Sequence, residues 1–152
     1  MIHSNLMKQH TYFLIILSLF VCFSIHAQEK KSTMDLLTAH AWVTKDSTEY
    51  VKFDKETFYN YCNFKKWGYK ESYYTYKYYI SDNPNFIKGN KYNKIDFKEE
   101  LIGKVQNGNY FITSGRLFWI IEISENSLTI IALALGAKRL SFVPYYGEFP
   151  NI

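Results

Sequence analysis

The segment Glu71–Ile80 alternates its side chains with a period of two, and this pattern limits most strongly what the chain can fold into. Tyr74, Tyr76 and Tyr78 fall on one face of an extended backbone, and the residues between them fall on the other. The polar run Ser81–Asn85 follows at once and is rich in turn residues. The pattern predicts a half-buried β-strand that ends in a turn.

Shorter runs with the same period lie on both sides of this strand and are bounded by turn residues. The predicted strands are residues 40–45, 48–53, 56–62, 71–80, 95–97, 109–113, 117–123, 127–135 and 138–143. A short helical turn is predicted before them, because Ser32 and Thr33 favour a helix start. No Pro- or Gly-rich linker divides the strands, and closure into a barrel removes the edges of a small sheet. The expected fold class is all-β, a small antiparallel up-and-down barrel of about eight strands with a short N-terminal helical turn.

Residues 1–27 have the pattern of a cleavable signal peptide. Lys8 supplies a positive charge, and the run Tyr12–Ile25 follows with fourteen uncharged residues. That run suits a signal peptide and is shorter than the roughly 20 apolar residues of a membrane-spanning helix. Ala27 suits the cleavage position, so residues 28–152 are the expected mature domain, exported to the periplasm or the cell exterior. An uncleaved anchor, or a start codon later within this segment, is the alternative.

Removal of this leader leaves a domain with very few reactive side chains. It removes Lys8, so 17 of the 18 basic residues and all 14 acidic residues remain, a net charge of +3. A charge this small does not indicate a nucleic-acid partner. The domain keeps one histidine, His40, and one cysteine, Cys62, which excludes an internal disulfide. Because one His and one Cys cannot build a tetrahedral metal site, we expect no metal and no cofactor. We also expect no catalytic residue, since so few reactive side chains remain.

Several stretches of the chain, taken in their order, carry a family resemblance. They are Leu36-Leu37 with Trp42, Tyr50–Asp54, Tyr78–Asp82, Gly103–Val105 and Gly108–Ile112. Together they resemble the small exported lipocalin-like proteins of Bacteroidetes. The resemblance covers about residues 34–143 and implies a single lipocalin-like barrel of eight strands, without a defined ligand or reaction.

The same resemblance implies one structural pair. Lipocalins carry a tryptophan on the first strand, and an arginine of the last strand packs across its ring. Trp42 and Arg139 occupy comparable places here, and His40 stands where the family usually has glycine. The expectation is a structural cation–π contact between Trp42 and Arg139.

The aromatic segment Phe58–Tyr79 is the strongest candidate for a functional surface. It contains eight tyrosines and four interleaved lysines. Tyrosine has an apolar body and a polar tip, so it serves equally in a core, a ligand site or a protein interface. Core packing with a tyrosine-rich outer surface, a ligand site and a protein contact are all compatible with the segment.

The leading functional hypothesis is an exported, non-enzymatic binding module that holds a small apolar or sugar-like ligand in an aromatic-lined barrel. The residues expected to line it are Tyr74, Tyr76, Tyr78, Trp119 and Phe142. The alternative is a protein–protein interaction or inhibitor domain that uses a Tyr/Lys-rich outer surface. The expected partner is therefore an unknown small molecule or protein, the mature chain is expected to have no membrane span, and the domain is expected to be a monomer. An enzyme and a membrane barrel are weaker alternatives.

Overall fold

The computed structural model describes residues 30–86, 94–133 and 138–150. They form one helix, eight strands and two short 3₁₀ turns, at Lys65–Trp67 and Glu99–Leu101. The helix is α1 (Thr33–Thr38), and the strands are β1 (Ala41–Thr44), β2 (Glu49–Phe53), β3 (Thr57–Cys62), β4 (Ser72–Ser81), β5 (Tyr110–Thr113), β6 (Leu117–Ile123), β7 (Leu128–Ala132) and β8 (Arg139–Tyr145). The predicted signal peptide, residues 1–27, lies outside the described residues.

The eight strands form one closed antiparallel barrel in sequence order, with β8 paired back to β1. This confirms the expected all-β barrel with a short N-terminal helical turn. Two strand predictions were wrong in detail, because residues 95–97 contribute only an isolated bridge and β8 continues past its expected end at Val143. Pro144 is tolerated inside β8 because it pairs with Trp42 on one side, while the pairing with β7 has already ended on the other.

The interior of the barrel next to α1 is filled by aromatic side chains. The rings of Phe111 and Phe118 stack with centroids 4.3 Å apart, and Phe58 lies 5.2 Å from Phe111. Phe53 and Tyr78 complete this group, which we call the aromatic core, and Tyr78 is fully buried. Removal of such large rings from water is the main favourable term in folding a domain without disulfides. This half of the barrel is therefore occupied by the protein's own side chains.

Helix α1 closes the barrel at the same end. Ser32 caps the helix, because its hydroxyl accepts the backbone N–H of Asp35 while the Asp35 carboxylate accepts the backbone N–H of Ser32. Met34 and Leu37 are buried against the core. The Leu37 carbonyl also accepts the indole N–H of Trp42 at 3.1 Å. The cap and these contacts hold the short helix in place as a plug.

A second apolar cluster lies on the outer face of β4, β5 and β6. Its buried residues are Tyr79, Ile112 and Leu117. The partly buried side chains that pack against them are Phe86, Ile95, Phe97, Leu101 and Tyr110. The long β4–β5 connection therefore makes part of the outer wall apolar, so strands in this region carry apolar residues on both faces.

Strand β4 pairs unequally with its two neighbours. Its residues Ser72–Lys77 form six pairs with β3, and its residues Tyr78–Ser81 form four pairs with β5. The two sets do not overlap, so Ser72–Lys77 extends beyond the end of β5. We call the short β4–β5 junction the seam of the barrel.

The structure does not bring Trp42 and Arg139 together. Trp42 is fully buried and lies opposite Pro144 of β8, whereas Arg139 is exposed and lies opposite Ile131 of β7. Pro144 and Arg139 are five positions apart on one strand, so their side chains point to opposite faces. The ring that contacts Trp42 is instead His40, at 4.3 Å between centroids.

We expect Phe111→Ala to lower the free energy of unfolding by about 3–5 kcal/mol, because it leaves a cavity at the centre of the aromatic core. Urea unfolding followed by circular dichroism would measure the change. Tyr69→Ala is the matched control, since Tyr69 is 69% exposed, and its effect should stay within about 0.5 kcal/mol. Equal effects of the two substitutions would contradict the packing described here.

His40 gives a pH-dependent prediction. Its Nε2 is buried without a hydrogen-bond partner among the described residues, and burial lowers its pKa below 6.5, although Glu125 partly offsets this. Below pH 6.5 the unfolded chain therefore binds a proton at His40 that the folded chain does not bind. The free energy of unfolding consequently falls as the pH falls through 6.5.

The check is to compare the unfolding free energies of the wild type and His40→Phe at several pH values from 7.5 to 5. Carboxyl groups affect both proteins alike, so the wild type should lose more stability than the variant over this range. Parallel curves would rule out a contribution from His40.

Candidate functional site

The inner face of β4 becomes progressively more exposed toward the end of the barrel away from α1. Ile80 and Tyr78 are 0% exposed, Tyr76 is half-buried and Tyr74 is 38% exposed. Tyr76 lies opposite Phe58 and Tyr74 opposite Asn60, so all four β4 residues share the inward face. Solvent therefore reaches the inner side of the wall at this end. We call this open end of the barrel the mouth. Its residues are Glu49, Asn60, Cys62, Tyr74, Tyr76 and Arg116.

The mouth is polar where the opposite end is apolar. Glu49 lies opposite Cys62, and Asn60 lies two residues before Cys62 on the same face of β3. Asn60 and Cys62 are buried, and the Cys62 thiol donates to the Asn60 side-chain oxygen at 3.4 Å. A carboxylate and an amide inside a barrel need hydrogen-bonding partners, either from the protein or from a ligand.

The β1–β2 turn holds Glu49 in position. The Thr44 hydroxyl accepts the backbone N–H groups of Thr48 at 3.1 Å and of Glu49 at 3.0 Å. The Asp46 carboxylate in turn accepts the hydroxyls of Thr44 at 2.8 Å and of Thr48 at 2.7 Å, which lowers the pKa of Asp46 to about 2. This network holds the backbone at the start of β2, where Glu49 lies.

Burial raises the pKa of Glu49, because the ionised carboxyl is less well solvated inside the barrel. Three groups oppose this effect: the charge of Lys138, a hydrogen bond from Asn60 and the charge of Arg116. Glu49 is therefore a half-buried carboxyl with two cations, Lys138 and Arg116, and one further carboxylate, Asp46, near enough to act on it.

Arg116 is placed by the β5–β6 turn. The Thr113 backbone N–H donates to the Arg116 carbonyl at 2.8 Å, and the Arg116 N–H donates to the Thr113 hydroxyl at 2.9 Å. The guanidinium carbon lies 5.7 Å from the centre of the Tyr74 ring, and the Tyr74 and Tyr76 rings are nearly parallel at 6.3 Å. The Arg116 guanidinium and the rings of Tyr74 and Tyr76 therefore lie next to one another at the edge of the mouth.

Of the five residues expected to line a ligand cavity, two lie in the mouth and three do not. Tyr74 and Tyr76 are in the mouth. Tyr78 and Phe142 face inward but are buried in the closed half, 0% and 2% exposed. Trp119 lies on the outer face and is 42% exposed, because its neighbour Phe118 faces inward opposite Phe111.

The mouth also contains residues that the sequence analysis did not select. Glu49 alternates with Val51 and Phe53, so a charged residue on a core face was visible in the pattern. Asn60 had the same signal on β3. No such signal marks Arg116, because its position in the mouth depends on how far β4 extends past the β5–β6 turn.

The outer face of β1–β4 carries a second aromatic surface, on the opposite side of the wall from Tyr74. We call it the tyrosine platform, made of Tyr50, Tyr59, Tyr61, Tyr73 and Tyr145. Tyr50 lies 5.8 Å from Tyr61 and 5.1 Å from Tyr145, and the hydrogen bond to Glu71 raises the pKa of Tyr61 to about 12.

A groove of about 330 Å³ runs along this platform. Its lining residues are Lys52, Tyr59, Tyr73, Glu148 and Phe149. The Tyr59 hydroxyl donates to Asp54 at 3.0 Å, and Lys52 lies 5.7 Å from the Tyr59 ring. This is the Tyr/Lys-rich outer surface named in the alternative hypothesis.

Within residues 30–86, 94–133 and 138–150, no three His, Cys, Asp or Glu side chains are grouped so that they could hold a metal ion. No helix in the same ranges is long and apolar enough to cross a membrane.

Cys62 should react slowly in the folded protein. Burial raises the pKa of its thiol to about 11, so the reactive thiolate is scarce near pH 8. In a chain of residues 28–152, we expect a thiol reagent at pH 8 to label native Cys62 roughly 100-fold more slowly than the unfolded chain. A Lys70→Cys, Cys62→Ser variant supplies the exposed control. Equally fast labelling of both native proteins would contradict the burial of Cys62.

Comparison with known proteins returns no family model, no curated protein and no solved structure that matches this chain. The resemblance to small exported lipocalin-like proteins therefore stays a prediction. The closed eight-stranded barrel is itself observed.

Proposed function

We propose that this protein is an exported, non-enzymatic binding module, acting as a monomer, that holds one small sugar-like ligand in the mouth of its barrel. The observation that carries the proposal is the exposure of Tyr74 and Tyr76 on the inward face of β4. Inward-facing aromatic rings that solvent can reach offer a concave surface, and concave sites are where small molecules bind.

The closed half of the barrel argues against an apolar ligand held deep inside. The aromatic core and the plug formed by α1 occupy that region, with Met34 and Leu37 2% and 0% exposed. An eight-stranded barrel is just wide enough either to be filled by side chains or to hold one small ligand. In this barrel, side chains fill the half next to α1, and the half that is open to solvent is polar.

The groups in the mouth suit a ligand with several hydroxyls. The nearly parallel rings of Tyr74 and Tyr76 offer an apolar face to a flat or ring-shaped molecule. Glu49 accepts hydrogen bonds, and Asn60 both donates and accepts them. A sugar ring has the matching combination of an apolar face and a hydroxylated edge.

A non-enzymatic role agrees with the scarcity of reactive side chains. His40 contacts Trp42, outside the mouth, and the Cys62 thiol is largely protonated near neutral pH. Export is supported by the predicted signal peptide at residues 1–27.

A second candidate function is a protein–protein contact through the tyrosine platform. The groove of about 330 Å³ beside Tyr59 and Tyr73 favours it, since tyrosine is common at the centres of interfaces. Tyr73 and Tyr74 are consecutive in β4 and face opposite sides of the wall, so substitutions at these two positions separate the candidates.

The test uses native mass spectrometry of the protein purified from its own host, together with binding to an array of defined oligosaccharides. We expect Tyr74→Ala to weaken binding of a captured small molecule about tenfold or more, which corresponds to about 1.4 kcal/mol. Tyr73→Ala should bind within about twofold of the wild type, and both variants should unfold cooperatively in urea.

The opposite pattern would overturn the mouth proposal. If the protein co-purifies with a protein partner that Tyr73→Ala loses and Tyr74→Ala keeps, the tyrosine platform is the functional surface. If Tyr74→Ala folds normally and binds the small molecule as tightly as the wild type does, the ligand is held elsewhere.

A further inference from the structure

We infer that the mouth selects an acidic saccharide, a ligand whose sugar ring carries a carboxylate that Arg116 binds while Tyr74 supports the guanidinium from behind. The inference rests on the proposed function and names the class of ligand for the same site.

The ion pairs of the described residues leave two cations near the mouth without a carboxylate partner, as they do several lysines elsewhere on the surface. Six lysines of the described residues are paired with carboxylates: Lys31, Lys52, Lys65, Lys66, Lys77 and Lys98. Neither Arg116 nor Lys138 forms such a pair within those same ranges, and both act on Glu49 only through their charge. The charge of Asp46 also reaches Glu49, but Asp46 is paired with Lys66 at 3.6 Å, so Arg116 and Lys138 still outweigh Glu49 and favour an anionic ligand.

Arg116 is prepared to bind a planar anion. Its backbone is held by the two hydrogen bonds to Thr113, and its guanidinium lies over the Tyr74 ring at 5.7 Å. A guanidinium stacked on an aromatic ring still presents its N–H groups at its edge, in the fork that matches both oxygens of a carboxylate. The stacking therefore orients the side chain without using up its donors.

Glu49 determines which way the ligand lies. A ligand carboxylate placed beside Glu49 would be disfavoured, because burial already raises the pKa of Glu49 and a second carboxylate in the same site adds like-charge repulsion. The acidic group of the ligand therefore lies at the rim beside Arg116, and its hydroxyls point inward to Glu49 and Asn60. A purely cationic ligand would meet Arg116 and Lys138 instead and is disfavoured for the same electrostatic reason.

The experiment compares two matched probes by calorimetry, a galacturonate trisaccharide and a galactose trisaccharide, on the full mature domain. The wild type should bind the acidic trisaccharide at least tenfold more tightly than the neutral one. Arg116→Gln should reduce the affinity for the acidic trisaccharide to that for the neutral one. Arg116→Lys keeps the charge but loses the fork, so it should fall between them.

Arg139→Gln is the matched control, because it removes the same charge from an exposed arginine on the outer face of β8. It should bind both trisaccharides within about twofold of the wild type. A loss of affinity equal to that of Arg116→Gln would show a general effect of net charge and would overturn the assignment to Arg116.

The remaining outcomes separate this inference from the proposed function. Equal binding of both trisaccharides, still abolished by Tyr74→Ala, would overturn the acidic preference and leave the mouth as the binding site. Absence of binding to the galacturonate trisaccharide and to a glucuronate trisaccharide would overturn the inference as well. In that case the small molecule captured from the host, and its sensitivity to Tyr74→Ala, decide the proposed function independently.

Discussion

The stacking of Phe111 on Phe118 is the interaction on which the rest of the structure depends. These two rings sit on adjacent strands at the centre of the barrel, and Phe58 packs against both. Since Cys62 is the only cysteine of the described residues, no disulfide within them can replace this packing. Because the rings fill one half of the interior, polar side chains such as Glu49 are confined to the other half. The same contact therefore supplies stability and decides which end of the barrel is open to solvent.

The two ends of the barrel differ because the inward-facing positions of a strand carry different residue types along its length. Along β2 the inward face runs from Glu49 through Val51 to Phe53, from the mouth to the plug. Along β4 it runs from Tyr74 to Ile80, in the same sense. β2 and β4 thus each carry a gradient from polar to apolar, and because the two strands run in the same direction these gradients are aligned. A barrel with one dry and one wet end follows from the order of residues within the strands.

The alternation of side chains was sufficient to predict the fold class and most of the strands, because it depends only on local sequence. It was not sufficient on β6, because both faces of this strand are apolar. The outer cluster buries Leu117, and Trp119 also lies on the outer face. The expected Trp42–Arg139 contact failed because their positions on β1 and β8 place them on opposite faces. The Arg116 side of the mouth could not be predicted, since it depends on the register between distant strands.

The seam between β4 and β5 has a consequence for the length of what the barrel can hold. β4 pairs with β5 over Tyr78–Ser81 and with β3 alone over Ser72–Lys77, so the rim is low on the side of the β5–β6 turn. A ligand in the mouth would not have to fit inside it entirely, because a polymer could extend out over the low side of the rim at the β5–β6 turn. A barrel of this shape can bind the middle of a long chain as readily as its end, which a deep cavity with an even rim cannot do.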